Sequence, residues 1–139
     1  MSSDEQKRKV EYLSAYKWIM QDIDIKEERL ARLDERITAL RSLRITDMPK
    51  GGQAVGIDEL IAQKVDLFRE INEQLKEANK ECDRIETAIQ QMPQYQDRVV
   101  LELKYIEGLR YEDMTERLGY SLRHIKRMHW AAVDRFVIP

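Results

Sequence analysis

From Ser3 to Met48 the chain contains neither glycine nor proline, and the same holds from Ile57 to Met92. Stretches this long without a helix breaker leave few options, because glycine costs about 1 kcal/mol and proline about 3 kcal/mol in a helix interior. Ser3 and Gln6 match a capping box at the start of the first stretch. The reading is therefore two long helices, at about 4–46 and 57–92. Asp47–Gly56 joins them as a loop, since it holds one proline and three glycines. Pro93 ends the second helix.

Both stretches carry a heptad. In the first, Tyr16, Ile23, Leu30 and Ile37 make one series and Tyr12, Ile19, Leu33 and Leu40 the other, interrupted only by Lys26. In the second, Ile61, Phe68, Leu75, Cys82 and Ile89 alternate with Ile71, Ala78, Ile85 and Met92, with Lys64 as the exception. A repeat sustained this long argues a coiled-coil-like antiparallel hairpin. The register that best matches apolar layers sets Leu33 opposite Phe68, Leu30 opposite Ile71 and Tyr16 opposite Ile85. Lys26 and Lys64 then face Leu75 and Ile37 and snorkel outward. Val10, Leu13, Trp18, Met20, Leu43, Val65 and Leu67 fall outside this seam, so they seek another surface, either the rest of the chain or a second copy.

Residues 93–139 have a different character. Leu101 to Phe136 splits into three short apolar-periodic pieces separated by Gly108 and Gly119, each placed where a helix must stop. Val99, Val100, Leu103 and Ile106 form the stripe of the first piece. The second runs from Tyr111 to Leu118, with Glu112 and Asp113 in its first turn facing the positive end of the dipole. Ser121 is a good N-cap for the third. That helix is expected to bury Ile125, Met128, Ala132 and Phe136 and to turn out Arg123, His124, Lys126 and Arg127. A glycine-bearing turn between two short helices, followed by a cationic helix start, is what a DNA-reading unit requires.

The run YIEGLRYEDMTERLGYSLRHIKR closely resembles the C-terminal helix-turn-helix of sigma factors, region four, which reads an upstream promoter element. The whole chain resembles small phage and prophage regulators of the ArpU/RinA type, in which a helical hairpin precedes that unit. The resemblance implies an all-α fold, residues 1–92 as the hairpin and 93–139 as the helix-turn-helix domain. It also implies a transcription regulator whose groove-facing residues are Ser121, Arg123, His124, Lys126 and Arg127. Arg117, Tyr120 and Arg135 are the expected backbone contacts. Arg110 departs from the pattern, standing where the family usually has a Ser or Thr N-cap, as do Met114 and Thr115 in place of the common Ile and Ala.

Charge distribution agrees in sign. The chain has a net charge of −2, yet residues 1–93 carry 16 basic and 19 acidic groups, whereas 121–139 carry four basic and one acidic. A single cysteine, Cys82, excludes an internal disulfide and a cysteine-rich zinc site. In a heptad position it reads as a small buried hydrophobe and not as a nucleophile. His124 and His129 are five residues apart on different faces of one helix, so no shared metal site is expected. With no phosphate loop, paired buried carboxylates or Ser/His/Asp arrangement, the chain reads as a non-enzyme without a cofactor. With no leader and no long apolar run it reads as cytoplasmic, with no membrane partner. The expected partners are double-stranded DNA, RNA polymerase and a second copy in a homodimer. Two other functions fit the same residues. One is an adaptor that docks on RNA polymerase or another regulator without reading DNA; the other is a phage DNA-packaging subunit.

Overall fold

In the computed structural model, the structure describes residues 3–46 and 53–139. Among these the chain is all-α, with no strand. Helix α1 spans Ser3–Thr46 and α2 spans Gln53–Gln90. Helix α3, Tyr95–Leu101, runs directly into a π-helical segment, Glu102–Ile106. Helices α4, Tyr111–Leu118, and α5, Leu122–Arg135, complete the order. Helix α2 begins four residues before the expected Ile57, so Gly56 lies inside it. Burial of Ile57 and Leu60 just beyond offsets the propensity lost at that glycine. The remainder of the expected loop, 47–52, lies outside the described residues.

The chain divides into two compact units, Met20–Glu77 and Met1–Ile19 with Ala78–Pro139. This division differs from the one expected at Met92, because both ends of the hairpin helices belong with the C-terminal helices.

Within Met20–Glu77 the two helical segments run antiparallel, and their seam holds Ile23, Leu33, Ile37 and Ile71 as expected but departs from the expected one elsewhere on α2. Ile57, Leu60, Leu67 and Ile71 are buried on α2, and Ile23, Leu33 and Ile37 on α1. Leu60 and Leu67 thus take the positions assigned to Ile61 and Phe68, and Phe68 and Leu75 are left 54% and 38% exposed. The two choices differ by one residue, about 100° of helix rotation, and Leu60 and Leu67 continue the spacing of Ile57 and Ile71 better. Gln74 accepts from Lys26 Nζ at 2.9 Å and donates to Asp22 at 2.7 Å, and Lys64 pairs with Asp34 at 2.6 Å. The two lysines therefore do not merely snorkel. They end on polar partners across the seam.

The other unit has one core, and every helix contributes to it. Leu13 from α1 and Ile85, Ala88, Ile89 and Met92 from α2 and its end join Val100, Leu101, Leu103, Tyr105, Met114, Ile125, Ala132, Val133 and Phe136. The ring of Phe136 lies 5.8 Å from that of Tyr12. Polar contacts fix the same junction. Gln6 donates to the Asp134 carboxylate at 2.8 Å, and Lys9 to the Asp134 carbonyl at 2.9 Å, placing a cation at the C-terminal end of α5, where the helix dipole favours it. Leu13, expected outside the seam, is thus buried against the C-terminal helices.

Candidate nucleic-acid interface

The site is built on two glycines and a widened helix. Gly108 and Gly119 have φ of +73° and +76°, and Gly119 donates to the Thr115 carbonyl at 2.9 Å, closing α4. Residues with a Cβ adopt this left-handed conformation only at a cost, so the turns are fixed where glycine stands. After Gly119, Tyr120 and Ser121 reverse the chain. The Ser121 hydroxyl accepts the His124 backbone N–H at 3.2 Å and opens α5 as its N-cap.

The first helix of the motif differs from expectation. Its last turn is π-helical, with the Glu107 N–H donating to the Glu102 carbonyl at 2.9 Å. An extra residue in the turn rotates the following side chains. Leu101, Leu103 and Tyr105 are buried, while Val99 is exposed and Ile106 only half-buried. Of the expected stripe Val100 and Leu103 are buried, and the 3.6-residue period on which it rests is broken from Glu102 onward.

Helix α4 starts without a side-chain cap at Arg110, as its identity demands. Asp113 compensates by accepting the Arg110 backbone N–H at 3.1 Å and the guanidinium Nε at 3.2 Å. The guanidinium and these hydrogen bonds hold the Asp113 carboxyl below the usual carboxylate range. The departure from a Ser or Thr cap is therefore half-repaired from inside the helix.

Helix α5 presents two chemically distinct sides. Ile125, His129, Ala132 and Val133 are buried, and Met128 is half-buried. Arg123, Lys126 and Arg127 are exposed, and none of them is in an ion pair among the described residues. His124 is half-buried, its ring 4.6 Å from that of Tyr120 on the turn. Arg117, near the end of α4, is exposed. The expected base-facing residues thus share the first two turns of one helix, with Arg117 and Tyr120 just before it.

Arg135 has an additional role. Its Nε and Nη2 each reach the Asp97 carboxylate at 2.7 Å, and Asp97 is only 3% exposed. This two-pronged pair ties α3 to α5, and the geometry is that of the stronger charge-assisted bonds. The expected backbone-contact residue therefore serves first as a brace.

Sequence reasoning also missed a buried network. His129 is 2% exposed, with Nε2 2.6 Å from the Tyr105 hydroxyl and Nδ1 2.9 Å from the Tyr111 hydroxyl. A neutral imidazole offers one donor and one acceptor, so both nitrogens are satisfied if one hydroxyl donates and the other accepts. Burial first, and the charge of Lys104 second, push His129 down to about 4. The signal was present in the spacing, since His129 falls on the stripe of Ile125, Ala132 and Phe136. Tyr105 and Tyr111 could not be paired with it without knowing the π-helical turn.

Cys82 is half-buried and its thiol donates to the Glu86 carboxylate at 3.2 Å. Burial and that carboxylate push the thiol up to about 11, which keeps it in the unreactive protonated form. Among the described residues no group of three or more His, Cys, Asp or Glu side chains is placed to hold a metal ion, and no helix is long and apolar enough to cross a membrane.

Neither a curated protein nor a solved structure matches the chain. One family model does, over residues 40–135, taking in part of the hairpin and the helix-turn-helix as far as Arg135. The chain belongs to that family, described as protein of unknown function (DUF1492).

Proposed function

We propose that this chain is a phage- or prophage-encoded, sequence-specific DNA-binding transcription regulator that places the start of α5 in the major groove of double-stranded DNA. One observation carries the reading: the exposed side of α5 bears Arg123, Lys126 and Arg127 unpaired, directly after a capped, glycine-closed turn. Long donors at the N-terminal end of such a helix suit guanine O6/N7 and phosphate. The resemblance of this segment to sigma-factor region four supports the same reading. Arg123, His124 and Lys126 would read bases, while Arg117 and Tyr120 would set position on the backbone. Ser121 would contribute chiefly by holding the first turn.

Titration of the full chain into labelled duplexes at increasing salt tests this. Three phosphate neutralisations would lower affinity about fortyfold between ~50 and ~200 mM salt. Arg123→Ala is expected to cost about 1–3 kcal/mol on the preferred duplex and to relax the choice at one base pair. Binding that is weak, insensitive to sequence and unchanged in this variant would contradict the assignment.

A second reading, an adaptor that docks on RNA polymerase or another regulator, is favoured by the apolar side of α2. Val65, Phe68 and Leu75 are exposed there, beside a groove of about 650 Å³ whose lining combines Ile37, Ile61, Val65 and Phe68 with Asp34, Thr38, Arg41, Lys64 and Arg69. Exposed apolar patches of this kind mark interaction surfaces. The same titration separates the two readings, since an adaptor has no reason to prefer one duplex over another.

A further inference from the structure

Helices α4 and α5 are joined by the chain at one end only, through Gly119, Tyr120 and Ser121. The angle between them therefore depends on what links them away from that turn. Tyr111 opens α4 eight residues before Gly119, and His129 lies eight residues after Ser121, so each stands about 12 Å from the turn along its helix. At this open end the Tyr111 hydroxyl meets His129 Nδ1 at 2.9 Å, and the two ring centroids are 5.4 Å apart. Met114, the buried residue of α4, sits nearer the turn. Apolar burial has no preferred direction, whereas a hydrogen bond fixes a distance and an angle.

The bond also has a polarity. Tyr105 is 4% exposed, and its hydroxyl has one partner among the described residues, His129 Nε2 at 2.6 Å. Were the imidazole proton on Nε2, Tyr105 would accept it and leave its own proton in the core without an acceptor, which is costly. With the proton on Nδ1, Tyr105 donates to Nε2 and His129 donates to Tyr111. The proton left over is then that of the Tyr111 hydroxyl, on a half-buried residue within reach of solvent.

We propose that Tyr111 and His129 are positioning residues for DNA reading: the bond that His129 Nδ1–H donates to the Tyr111 hydroxyl sets the angle between α4 and α5, and Tyr105 holds the imidazole in that tautomer. This inference rests on the DNA-reading function proposed above. A gap widened by about 1 Å at the open end turns α5 by roughly 5° against α4, given the rise of a helix. Lys126, five residues past Ser121, then moves by roughly 0.6 Å, and a binding constellation tolerates about 0.5 Å. Charge-driven contacts with phosphate withstand such a shift, whereas the two-pronged contacts that read base edges do not.

The test uses the full chain with Tyr111→Phe, Tyr105→Phe and Leu13→Ala. Each is titrated with the duplex the wild type prefers and with an unrelated one, below the melting temperatures of all four proteins. Tyr111→Phe keeps the ring contact with His129 but loses the acceptor. It is expected to lower the ratio of the two affinities about tenfold, the effect of a mismatched base pair, through weaker binding of the preferred duplex alone. The salt slope stays as in the wild type, because no charge is removed. Tyr105→Phe and Leu13→Ala should melt lower yet keep the ratio, since both leave the Tyr111 bond in place. Nitrogen NMR of the wild type at pH 7 should find the His129 hydrogen on Nδ1. If the wild type is selective and Tyr111→Phe keeps its ratio, the positioning role is wrong and the groove reading survives. A ratio that falls equally in all three variants would mark lost stability as the cause and overturn the proposal, as would a hydrogen found on Nε2. A wild type that prefers no duplex would overturn the groove reading, and the positioning role with it.

Discussion

A fragment comprising residues 93–139 is expected to be largely unfolded at 25 °C, although it contains the entire helix-turn-helix. The core that α3, α4 and α5 share includes Leu13, Ile85, Ala88, Ile89 and Met92, none of which the fragment retains. Without them Phe136, Val100 and Leu101 face water on the side they now bury. A chain of fewer than fifty residues has little core to spare, since small domains bury a low fraction of their surface. The Asp134 contacts from Gln6 and Lys9 are lost as well. Circular dichroism of the fragment should show little helix and no cooperative melt. In the full chain, Leu13→Ala should reproduce part of the effect, lowering stability by about 2–5 kcal/mol as expected for a buried leucine. Amide signals from α4 and α5 should report that loss, although Leu13 lies on α1. A fragment with native helix content and a sharp melt would show that the helix-turn-helix is autonomous.

Acid should weaken this unit through His129. The folded protein holds the imidazole neutral down to about 4, whereas the ordinary value is 6.5. Above pH 6.5 the residue is neutral in both states and adds no pH dependence. Between 6.5 and about 4 the unfolded chain takes up a proton that the folded chain refuses, so stability falls as pH falls. The slope is roughly 1.4 kcal/mol per pH unit, or roughly 3 kcal/mol across the window. Denaturant melts at pH 7, 6, 5 and 4.5 on the wild type and on His129→Gln separate this from the carboxylates. The glutamine variant should be weaker at pH 7, because it cannot span both tyrosine hydroxyls, and its stability should fall less steeply below pH 6.5. Parallel slopes in the two proteins would remove His129 as the cause.

Much of this architecture was legible because it follows from helix breakers and periodicity. The glycine-free and proline-free stretches marked both long helices, and Gly108 and Gly119 marked the turns that a positive φ requires. The exposure of Arg123, Lys126 and Arg127 followed from the apolar spacing of Ile125 and Ala132. Other features depended on information that periodicity does not carry. Leu60 and Ile61, like Leu67 and Phe68, are adjacent apolar pairs, and only packing against α1 decides which of each pair is buried. The π-helical turn changes the phase of the chain from Glu102 onward, which moved Tyr105 inward and left Ile106 only half-buried. The Asp97–Arg135 brace joins residues 38 apart in the chain, so it becomes visible only once α3 and α5 are packed. The sharing of one core by the ends of the hairpin and the C-terminal helices is a property of three-dimensional contact. No composition shift near Met92 announces it.

The most direct test of the central claim is an unbiased selection of bound duplexes from a random pool at near-physiological salt. The wild type and an Arg123→Ala/Lys126→Ala double variant are run in parallel. DNA reading by α5 predicts that the wild type enriches a compact motif and that the variant loses it, with the symmetry of the motif reporting whether one copy or two are bound. A pool that remains random with the folded wild type, or a motif that the double variant enriches equally well, would contradict it.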